Sequence, residues 1–258
     1  MIDLHTHLLP GLDDGARSLE EAVAMAEIAA QDGIQQILLT PHWARGKYEP
    51  SPETIAQKTK ELQAACAACG IRLKFTAAAE VLLYDELPVQ VRDGQVPTWG
   101  GQNPYLLLEL PLFDWPLCME EVIFQLQMQG LKLILAHPER YTRVQEDPAV
   151  LYRLSVSGVL AQVTAASLLG WQGPIVRRTA QMLIKQRWVQ VIASDAHSLR
   201  SPPQLTEAVQ AATALIGEEA ARQMVTTVPT RILQGSRVPT DPLEPKRKRF
   251  WPLLGLRW

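Results

Sequence analysis

Short apolar runs alternate with helical segments about seven times along the chain, and this alternation is what most constrains the fold. After an opening strand, the runs occupy residues 34–40, 71–79, 105–108, 131–136, 159–163 and 188–193. Helical patterns lie between and after them, at residues 18–32, 52–69, 117–129, 147–157, 174–186 and 203–235. Runs that are apolar throughout are typical of strands covered on both faces. The sequence therefore predicts an α/β protein built from parallel βαβ units.

Polar residues with metal-binding or catalytic chemistry follow the apolar runs. The chain has only five histidines, and each lies just past such a run: His5, His7, His42, His137 and His197. Three acids lie at comparable positions: Glu80, Glu109 and Asp195. Barrel active sites form where many different strands end, whereas an open doubly wound sheet gathers its chemistry at one switch point, usually with a glycine-rich phosphate loop. No such loop is present, so we predict a distorted (β/α)7 TIM-like barrel.

The first fifteen residues form the densest of these polar segments. Residues two apart in a strand point to the same side, so His5 and His7 can face one metal ion. A Pro-Gly turn follows, and then come Asp13, Asp14 and Gly15. Glycine lets the backbone curl an aspartate back toward the histidines. At this stage either aspartate could be the ligand.

Together these residues predict one metal cluster. Each of them alone has an ordinary structural explanation, such as a helix cap or a salt bridge. Their joint occurrence at successive strand ends favours a shared site. Imidazole and carboxylate are the ligands of Mn, Fe and Zn hydrolytic centres. One ion cannot use so many ligands, so two or three ions are expected, with Glu80 and Glu109 as bridges. Clustered metals suit phosphoryl transfer.

Composition excludes several classes of protein. The 258 residues are 47% hydrophobic and 20% charged, with a net charge of −2. This balance gives no general attraction to nucleic acid or to acidic membranes. Three cysteines do not make a disulfide framework, and neither a signal peptide nor an apolar run of membrane-spanning length is recognisable. We expect a reduced, cytoplasmic protein.

The last 23 residues differ in composition from the rest of the chain. We predict a barrel over residues 1–235 and a basic and aromatic tail over residues 236–258. The tail contains the basic cluster Lys246-Arg247-Lys248-Arg249, followed by aromatic and aliphatic residues. Such a segment could touch an anionic membrane surface or a partner. A solvated, loosely packed terminus is the alternative.

The motifs as a set resemble the polymerase and histidinol phosphatase (PHP) superfamily. Within it they resemble the bacterial CpsB/CapC-type protein-tyrosine phosphatases. The matching segments are Ile2–His7 with Pro10–Gly15, Thr40–His42, Ala79–Glu80, Leu108–Leu110, Ala136–Tyr141 and Ala193–His197. Their order and spacing cover residues 1 to about 235. His-x-His alone is unspecific, but the set is highly specific.

The resemblance implies the PHP fold, a distorted β/α barrel with a trinuclear centre of manganese type, with Fe, Zn, Mg or Co as other divalent candidates. It implies hydrolysis of phosphotyrosine on a protein by a metal-bridging hydroxide, without a phosphoenzyme. The expected partner is a bacterial tyrosine kinase that controls capsular or exopolysaccharide synthesis. Nucleic acid is not an expected partner. A homo-oligomer is compatible with the sequence, which leaves the oligomeric state open.

The resemblance also implies roles for individual residues. Arg140 matches the family's phosphate-binding arginine, and a guanidinium fork suits two phosphate oxygens. A structural ion pair is the alternative for Arg140. Arg200 is the candidate for a second phosphate contact, although it stands one residue further from Pro202-Pro203 than the family's pattern has it. Asp14 is the expected ligand because the family's acid directly precedes the glycine, with Asp13 as the alternate.

Three other functions remain to be weighed. A PHP phosphatase of a small phosphomonoester such as histidinol phosphate would use the same metal chemistry. An amidohydrolase also opens with His-x-His, but that class uses a strand-end lysine in place of two glutamates. A binding or scaffold protein without activity would have lost ligands, whereas every expected position is filled.

A thiol-based phosphatase is a separate possibility to exclude. Cys66 and Arg72 are spaced as in its Cys-x5-Arg signature. That chemistry needs a thiolate between a strand and a helix N-terminus. Here the cysteine comes at the end of a helix, with a strand after it, so we interpret the match as coincidence.

Overall fold

The computed structural model describes residues 1–99 and 103–245. These residues form nine strands: β1 (Ile2–Thr6), β2 (Gln36–Leu39), β3 (His42–Trp43), β4 (Lys74–Ala77), β5 (Glu80–Leu82), β6 (Tyr105–Glu109), β7 (Lys132–Ala136), β8 (Leu160–Thr164) and β9 (Val191–Ala193). All the strand pairs are parallel, in the orders β1-β2-β4 and β3-β5-β6-β7-β8-β9. Parallel neighbours with helical crossovers are what the alternating sequence predicted.

The helices lie between and after the strands. In the described residues they are α1 (Leu19–Gln31), α2 (Pro52–Ala68), α3 (Leu87–Arg92), α4 (Met119–Met128), α5 (Thr142–Glu146), α6 (Ala149–Val156), α7 (Ala165–Leu169), α8 (Pro174–Lys185), α9 (Thr206–Ile216), α10 (Glu218–Gln223) and α11 (Thr227–Leu233). A short 3-10 helix spans Pro138–Arg140. Ser18 and Ser51 cap α1 and α2 by accepting bonds from the N–H three residues later.

Two of the predicted strands, at residues 34–40 and 71–79, form as β2 and β4, and each is followed after a gap of two residues by a short strand, β3 or β5, that was not predicted. Thr40 and Pro41 separate β2 from β3, because proline has no N–H to donate to a ladder. A second gap, at residues 78–79, lies between the end of β4 at Ala77 and the start of β5 at Glu80. Glu80 is therefore the first residue of a strand, not the residue that follows one. If β2 and β4 are each taken with the short strand that follows as one segment, the described residues contain seven segments, which agrees with the predicted sevenfold repeat.

The seven segments close into a distorted barrel. At the carboxyl ends, the Asp195 N–H donates to His5 O and the His7 N–H donates to Ala196 O, both at 2.9 Å. At the other end of β1 and β9, two residues of the α10–α11 connection lie between the strands. Ile2 N bonds to Val225 O at 2.8 Å there, and Ile192 N bonds to Met224 O at 3.3 Å. The barrel is thus closed directly only at the end that carries the polar residues.

The barrel interior is filled by the smaller of two apolar clusters. Strand residues from around the ring contribute to it, including Leu4, Leu38, Leu107, Ile134 and Val191. The larger cluster contains side chains from the helices and from the strands, including Met25 of α1 and Leu126 of α4. Both clusters hold the strand ends in fixed positions.

The first residues of the predicted tail contact the barrel, and the boundary after residue 235 stays a prediction. Val238 is buried in the interior cluster. Ser236 O accepts a bond from the Tyr105 hydroxyl (2.8 Å), and Leu243 O accepts one from the Trp188 indole (2.8 Å). These contacts were not predicted, because a few apolar residues among prolines give no periodic pattern. The basic cluster at 246–249 lies outside the described residues, so its contact with a membrane or a partner stays a prediction. No helix in the described ranges is both long and apolar enough to cross a membrane.

Candidate metal centre

All five histidines and four of the acids converge at the carboxyl ends of the barrel strands. Three overlapping groups have ligand atoms within 4.8 Å of one another: His7, Asp14, His42 and His197; His5, His7 and Glu80; and His42, Glu80 and Glu109. His137 and Asp195 lie against these groups, at 2.9 Å from Glu80 and 3.4 Å from His5 respectively. The structure therefore brings together all nine residues that the sequence proposed as metal ligands.

The ring orientations of His5 and His7 fit a cation. The His5 Nδ1–H donates to Gln162 Oε1 (2.9 Å), and the His7 Nδ1–H donates to Asp13 Oδ2 (2.7 Å). With the proton held on Nδ1, a neutral ring presents the lone pair of Nε2. The two Nε2 atoms face each other at 3.1 Å, inside the protein. Two facing Nε2 atoms need positive charge beside them. Without a metal ion a proton supplies it, because burial is outweighed by Glu80 and Asp195, which raise the pKa of His5 to about 9. A metal ion can take the place of that proton, so the residues fit a metal ion.

Glu80 lies at the centre of the cluster. Its Oε2 is 3.1 Å from His5 Nε2 and 3.0 Å from His42 Nδ1, and its Oε1 is 2.9 Å from His137 Nε2. Burial alone would raise the pKa of Glu80, but the imidazoles of His5, His137 and His42 hold it well below its ordinary value. Oε2 is buried, and its close contacts with the imidazoles of His5 and His42 lack good hydrogen-bond geometry. An ionised carboxylate with one oxygen that no well-aligned bond satisfies fits a bridging ligand.

Glu109 lies beside Glu80 at the edge of the cluster. Its two oxygens are each 3.6 Å from a ring nitrogen, of His42 and of His137. Burial and the negative charge of Glu80 raise the pKa of Glu109. Two carboxylates so close together repel each other unless cations lie between them, and so this pair also fits a metal centre.

The two neighbouring aspartates have different surroundings. The Asp13 side chain is fully buried and accepts bonds from His7 Nδ1, from Gly15 N (2.9 Å) and from His42 N (2.9 Å). Burial disfavours its charge, but these donors lower the pKa of Asp13 to about 2. The Asp14 side chain is 53% exposed, and its Oδ1 lies 3.5 Å from His42 Nε2 and 3.6 Å from His197 Nε2. Asp13 thus orients a histidine, and Asp14 faces the cluster.

Gly15 fits this loop because no larger residue could. A Cβ at this position would lie 2.1 Å from His7 O and 2.5 Å from His7 Cβ. The next residue donates its N–H to the same His7 carbonyl, at 3.0 Å. The loop is therefore in direct contact with the backbone of a candidate ligand, which explains the glycine after the two aspartates.

Two candidate ligands have a left-handed backbone. His137 has φ 32° and Asp195 has φ 55°, values that non-glycine residues rarely adopt. His137 directly follows β7, Asp195 is the second residue after β9, and each turn directs its side chain toward the cluster. Strained residues of this kind concentrate at functional sites.

A cleft opens above the cluster. Its volume is about 270 Å³, and its walls include Asp14, His42, Glu109, His137 and Arg140. It also has apolar and aromatic lining, from Ala44, Tyr48, Leu82 and Leu112. The Arg140 Nη1 bonds to Asp195 Oδ2 at 2.9 Å, which directs the guanidinium over the cluster. The ion pair weighed as an alternative for Arg140 therefore exists, but its acid is itself one of the candidate ligands, and Arg140 lines the cleft.

Two other sequence motifs lie away from this cleft. Arg200 is exposed on the turn Ser198–Ser201 and does not line the cleft, so its phosphate contact stays a prediction. Cys66 is buried near the end of α2, and burial raises the pKa of its thiol to about 11. A buried thiol with a raised pKa is a poor nucleophile. The Cys-x5-Arg match is thus a coincidence, as the sequence order indicated.

The sequence did not point to three residues that support the site. Gln162 in β8 orients His5. Buried Tyr141 bridges Leu110 N (3.0 Å) and Ala136 O (2.8 Å) through its hydroxyl. Buried Glu139 accepts a bond from Thr164 N at the start of α7. Of the three, only Gln162 could have been noticed in the sequence, because it is a polar residue within an apolar run.

Comparison with known proteins decides the family. The family described as "Capsular polysaccharide synthesis, CpsB/CapC" matches residues 1–234. The chain belongs to the CpsB/CapC family. It is 31% identical over 201 residues to the tyrosine-protein phosphatase YwqE of Bacillus subtilis, covering 78% of this chain and 79% of that protein. It is 30% identical over 203 residues to the putative tyrosine-protein phosphatase CapC of Staphylococcus aureus, covering 79% of each.

Solved structures agree with this assignment. A structure from a study of YwqE from Bacillus subtilis and CpsB from Streptococcus pneumoniae, described there as unique metal-dependent tyrosine phosphatases, superposes with a TM-score of 0.89 at 29% identity. The superposition covers 96% of this chain and all of that one. The phosphotriesterase homology protein of Escherichia coli matches with a TM-score of 0.59 at 9% identity, over 90% of this chain and 98% of that one. The latter likeness concerns the fold alone.

Proposed function

We propose that this CpsB/CapC family member is a metal-dependent protein-tyrosine phosphatase in capsular or exopolysaccharide synthesis. The observation that carries the proposal is the pair of facing Nε2 atoms of His5 and His7, beside the buried Oε2 of Glu80 and below a cleft with an arginine. Its named relatives are tyrosine phosphatases, which supports the same substrate class. The substrate would be a phosphotyrosyl protein, namely a bacterial tyrosine kinase acting in the cytoplasm.

The proposed metal ligands are the nine clustered residues: His5, His7, Asp14, His42, Glu80, Glu109, His137, Asp195 and His197. Three overlapping ligand groups support a centre of two or three divalent ions. The mixture of imidazole and carboxylate suits Mn, and also Fe, Zn or Co, with Mg as a further candidate. Bound ions would supply positive charge to the phosphate oxygens and acidify the attacking water.

The protein's own groups bind and orient the substrate. Arg140 would bind two phosphate oxygens with the guanidinium N–H groups that Asp195 leaves free. Asp195 accepts the remaining bond and fixes the guanidinium plane. Tyr48, Leu82 and Leu112 offer an apolar wall to an aryl group above the phosphate. Asp13 and Gln162 hold His7 and His5 in the ring orientation described above.

Steady-state assays test this function. Kinetics of the manganese-loaded protein on a phosphotyrosyl peptide and on histidinol phosphate should show a higher kcat/KM for the peptide. Arg140→Ala should lose most of the activity and retain the metal. A preference for histidinol phosphate, or full activity of the Arg140→Ala variant, would contradict the proposal.

A further inference from the structure

The loop between β6 and α4 forms one wall of the cleft. It leaves β6 at Glu109 and places Leu112 in the cleft lining. The Leu112 carbonyl accepts a bond from Thr142 N at 3.1 Å, and Thr142 follows Arg140 by two residues. The loop is thus tied to the segment that carries the phosphate-binding arginine.

The base of this loop is packed. Trp115 meets buried Tyr141 edge to face, with ring centroids 6.3 Å apart and planes at 74°. The hydroxyl of Tyr141 in turn bonds to Leu110 N. These contacts fix the base of the loop relative to the cleft.

Two large apolar side chains on this loop face solvent. Phe113 is 90% exposed and Leu117 is fully exposed. Together with Leu82 and Leu112 in the cleft they make an apolar strip, by which we mean these four residues. Clustered exposed apolar side chains beside a functional cleft are typical of an interaction site. Scattered ones would need no explanation, but Phe113 directly follows Leu112, which lines the cleft, and Leu117 lies on the same loop.

We propose that the apolar strip binds the polypeptide on either side of the phosphotyrosine, with Phe113 and Leu117 contacting apolar side chains next to it. The inference rests on the proposed function. The cleft volume of about 270 Å³ lies below the roughly 300–1,000 Å³ of pockets that enclose drug-sized ligands. The cleft therefore holds one side chain, and the main chain of a protein substrate must cross its mouth, beside the loop on which Phe113 follows Leu112.

The test uses two peptides and two matched variants. One peptide carries phosphotyrosine between leucines and the other carries it between serines, and p-nitrophenyl phosphate is the small substrate. Phe113→Ala removes the exposed ring next to Leu112 in the chain. Phe124→Ala removes the other exposed phenylalanine in the described residues, which is 58% exposed on α4. Neither change touches the buried core, so both variants should fold.

The wild type should prefer the leucine-flanked peptide. Phe113→Ala should raise its KM for that peptide about five- to tenfold with kcat unchanged, as expected when ground-state and transition-state binding are lost equally. The same variant should leave the serine-flanked peptide and p-nitrophenyl phosphate within about twofold of wild type. Phe124→Ala should behave like wild type on all three substrates.

Several outcomes would overturn the inference. One is an unchanged KM of Phe113→Ala for the leucine-flanked peptide while the wild type hydrolyses it. Another is an equal loss in Phe124→Ala. If Phe113→Ala has unchanged kinetics but an oligomer mass in sedimentation that differs from wild type, the strip instead contacts a second copy of the chain. Unchanged kinetics with weaker binding to equimolar phosphatidylcholine–phosphatidylglycerol vesicles would assign it to a membrane. A wild type inactive on both peptides would instead refute the proposed function, and this inference with it.

Discussion

Replacing Asp13 or Asp14 by asparagine should have opposite consequences, although the two residues are adjacent and chemically identical. Asp13 accepts three hydrogen bonds inside the protein, and Asp14 faces the candidate ligands from a half-exposed position. Asp13→Asn should therefore destabilise the metal-free protein. Asp14→Asn should leave the metal-free protein stable and weaken metal binding.

The magnitude for Asp13 follows from its pKa and from its bonds. A fall in pKa from 3.8 to about 2 corresponds, at about 1.4 kcal/mol per pKa unit, to roughly 2.5 kcal/mol of stability. Asparagine has one carbonyl oxygen for three donors, and a buried donor left without a partner costs about 1–3 kcal/mol. The second route gives about 1–3 kcal/mol for one unpaired donor, so the two routes agree at about 2–3 kcal/mol. For a chain of this size that lowers the Tm by roughly 5–10 °C.

The pH dependence of this loss has a definite sign. A carboxylate whose pKa is depressed on folding stabilises the protein above the unfolded pKa of 3.8, and this stabilisation disappears as the pH falls through about 2. The difference in unfolding free energy between wild type and Asp13→Asn should thus be complete at pH 7. It should shrink below pH 4.

Thermal denaturation with and without manganese measures both effects. After EDTA treatment, Asp14→Asn should melt within about 1–2 °C of wild type, because exposed substitutions change stability by about 0.5 kcal/mol or less. With manganese, the wild type should gain stability by mass action, and Asp14→Asn should lose most of that gain. An unchanged metal-free Tm in Asp13→Asn, or an equal fall in both variants, would refute the assignment of roles.

Three further changes test other parts of the site. Gly15→Ala should abolish the manganese-induced rise in Tm, because a Cβ would lie 2.1 Å from His7 O and the loop must move; an unchanged rise would contradict the close packing. Arg140→Lys should lower kcat/KM for a phosphotyrosyl peptide about 10–100-fold, because lysine cannot form the bidentate bond, and steady-state kinetics would show it. Cys66→Ser should keep kcat at 25 °C; complete loss of activity in that assay would refute the metal mechanism.

Much of the barrel was predictable because its physical basis is local. Continuous apolar runs mark strands covered on both faces, and Ser18 and Ser51 mark helix starts by their capping oxygens. The short strands β3 and β5 were not predicted, although Pro41 should have indicated a break before β3. The packing of Val238 could not be predicted, because a single apolar residue acquires its partners only when the whole barrel is assembled.

The composition of the site was predictable in the same sense, since polar residues at many strand ends must meet if the strands form a barrel. The geometry within the site was not. Whether Asp13 or Asp14 faces the cluster depends on a turn of three residues, and sequence order alone leaves both possible. Gln162 was missed because its role comes from a contact with His5 across the barrel, 157 positions away. Such contacts leave no local pattern.

The most direct test of the central claim is phosphatase activity on a phosphotyrosyl peptide after EDTA treatment and after readdition of manganese, in wild type and in His42→Ala. The wild type should lose activity with EDTA and recover it with manganese. His42→Ala should stay inactive in both conditions, because His42 stands among the ligand atoms of two of the three groups. Activity that survives both EDTA and the His42→Ala substitution would contradict a metal-dependent phosphatase.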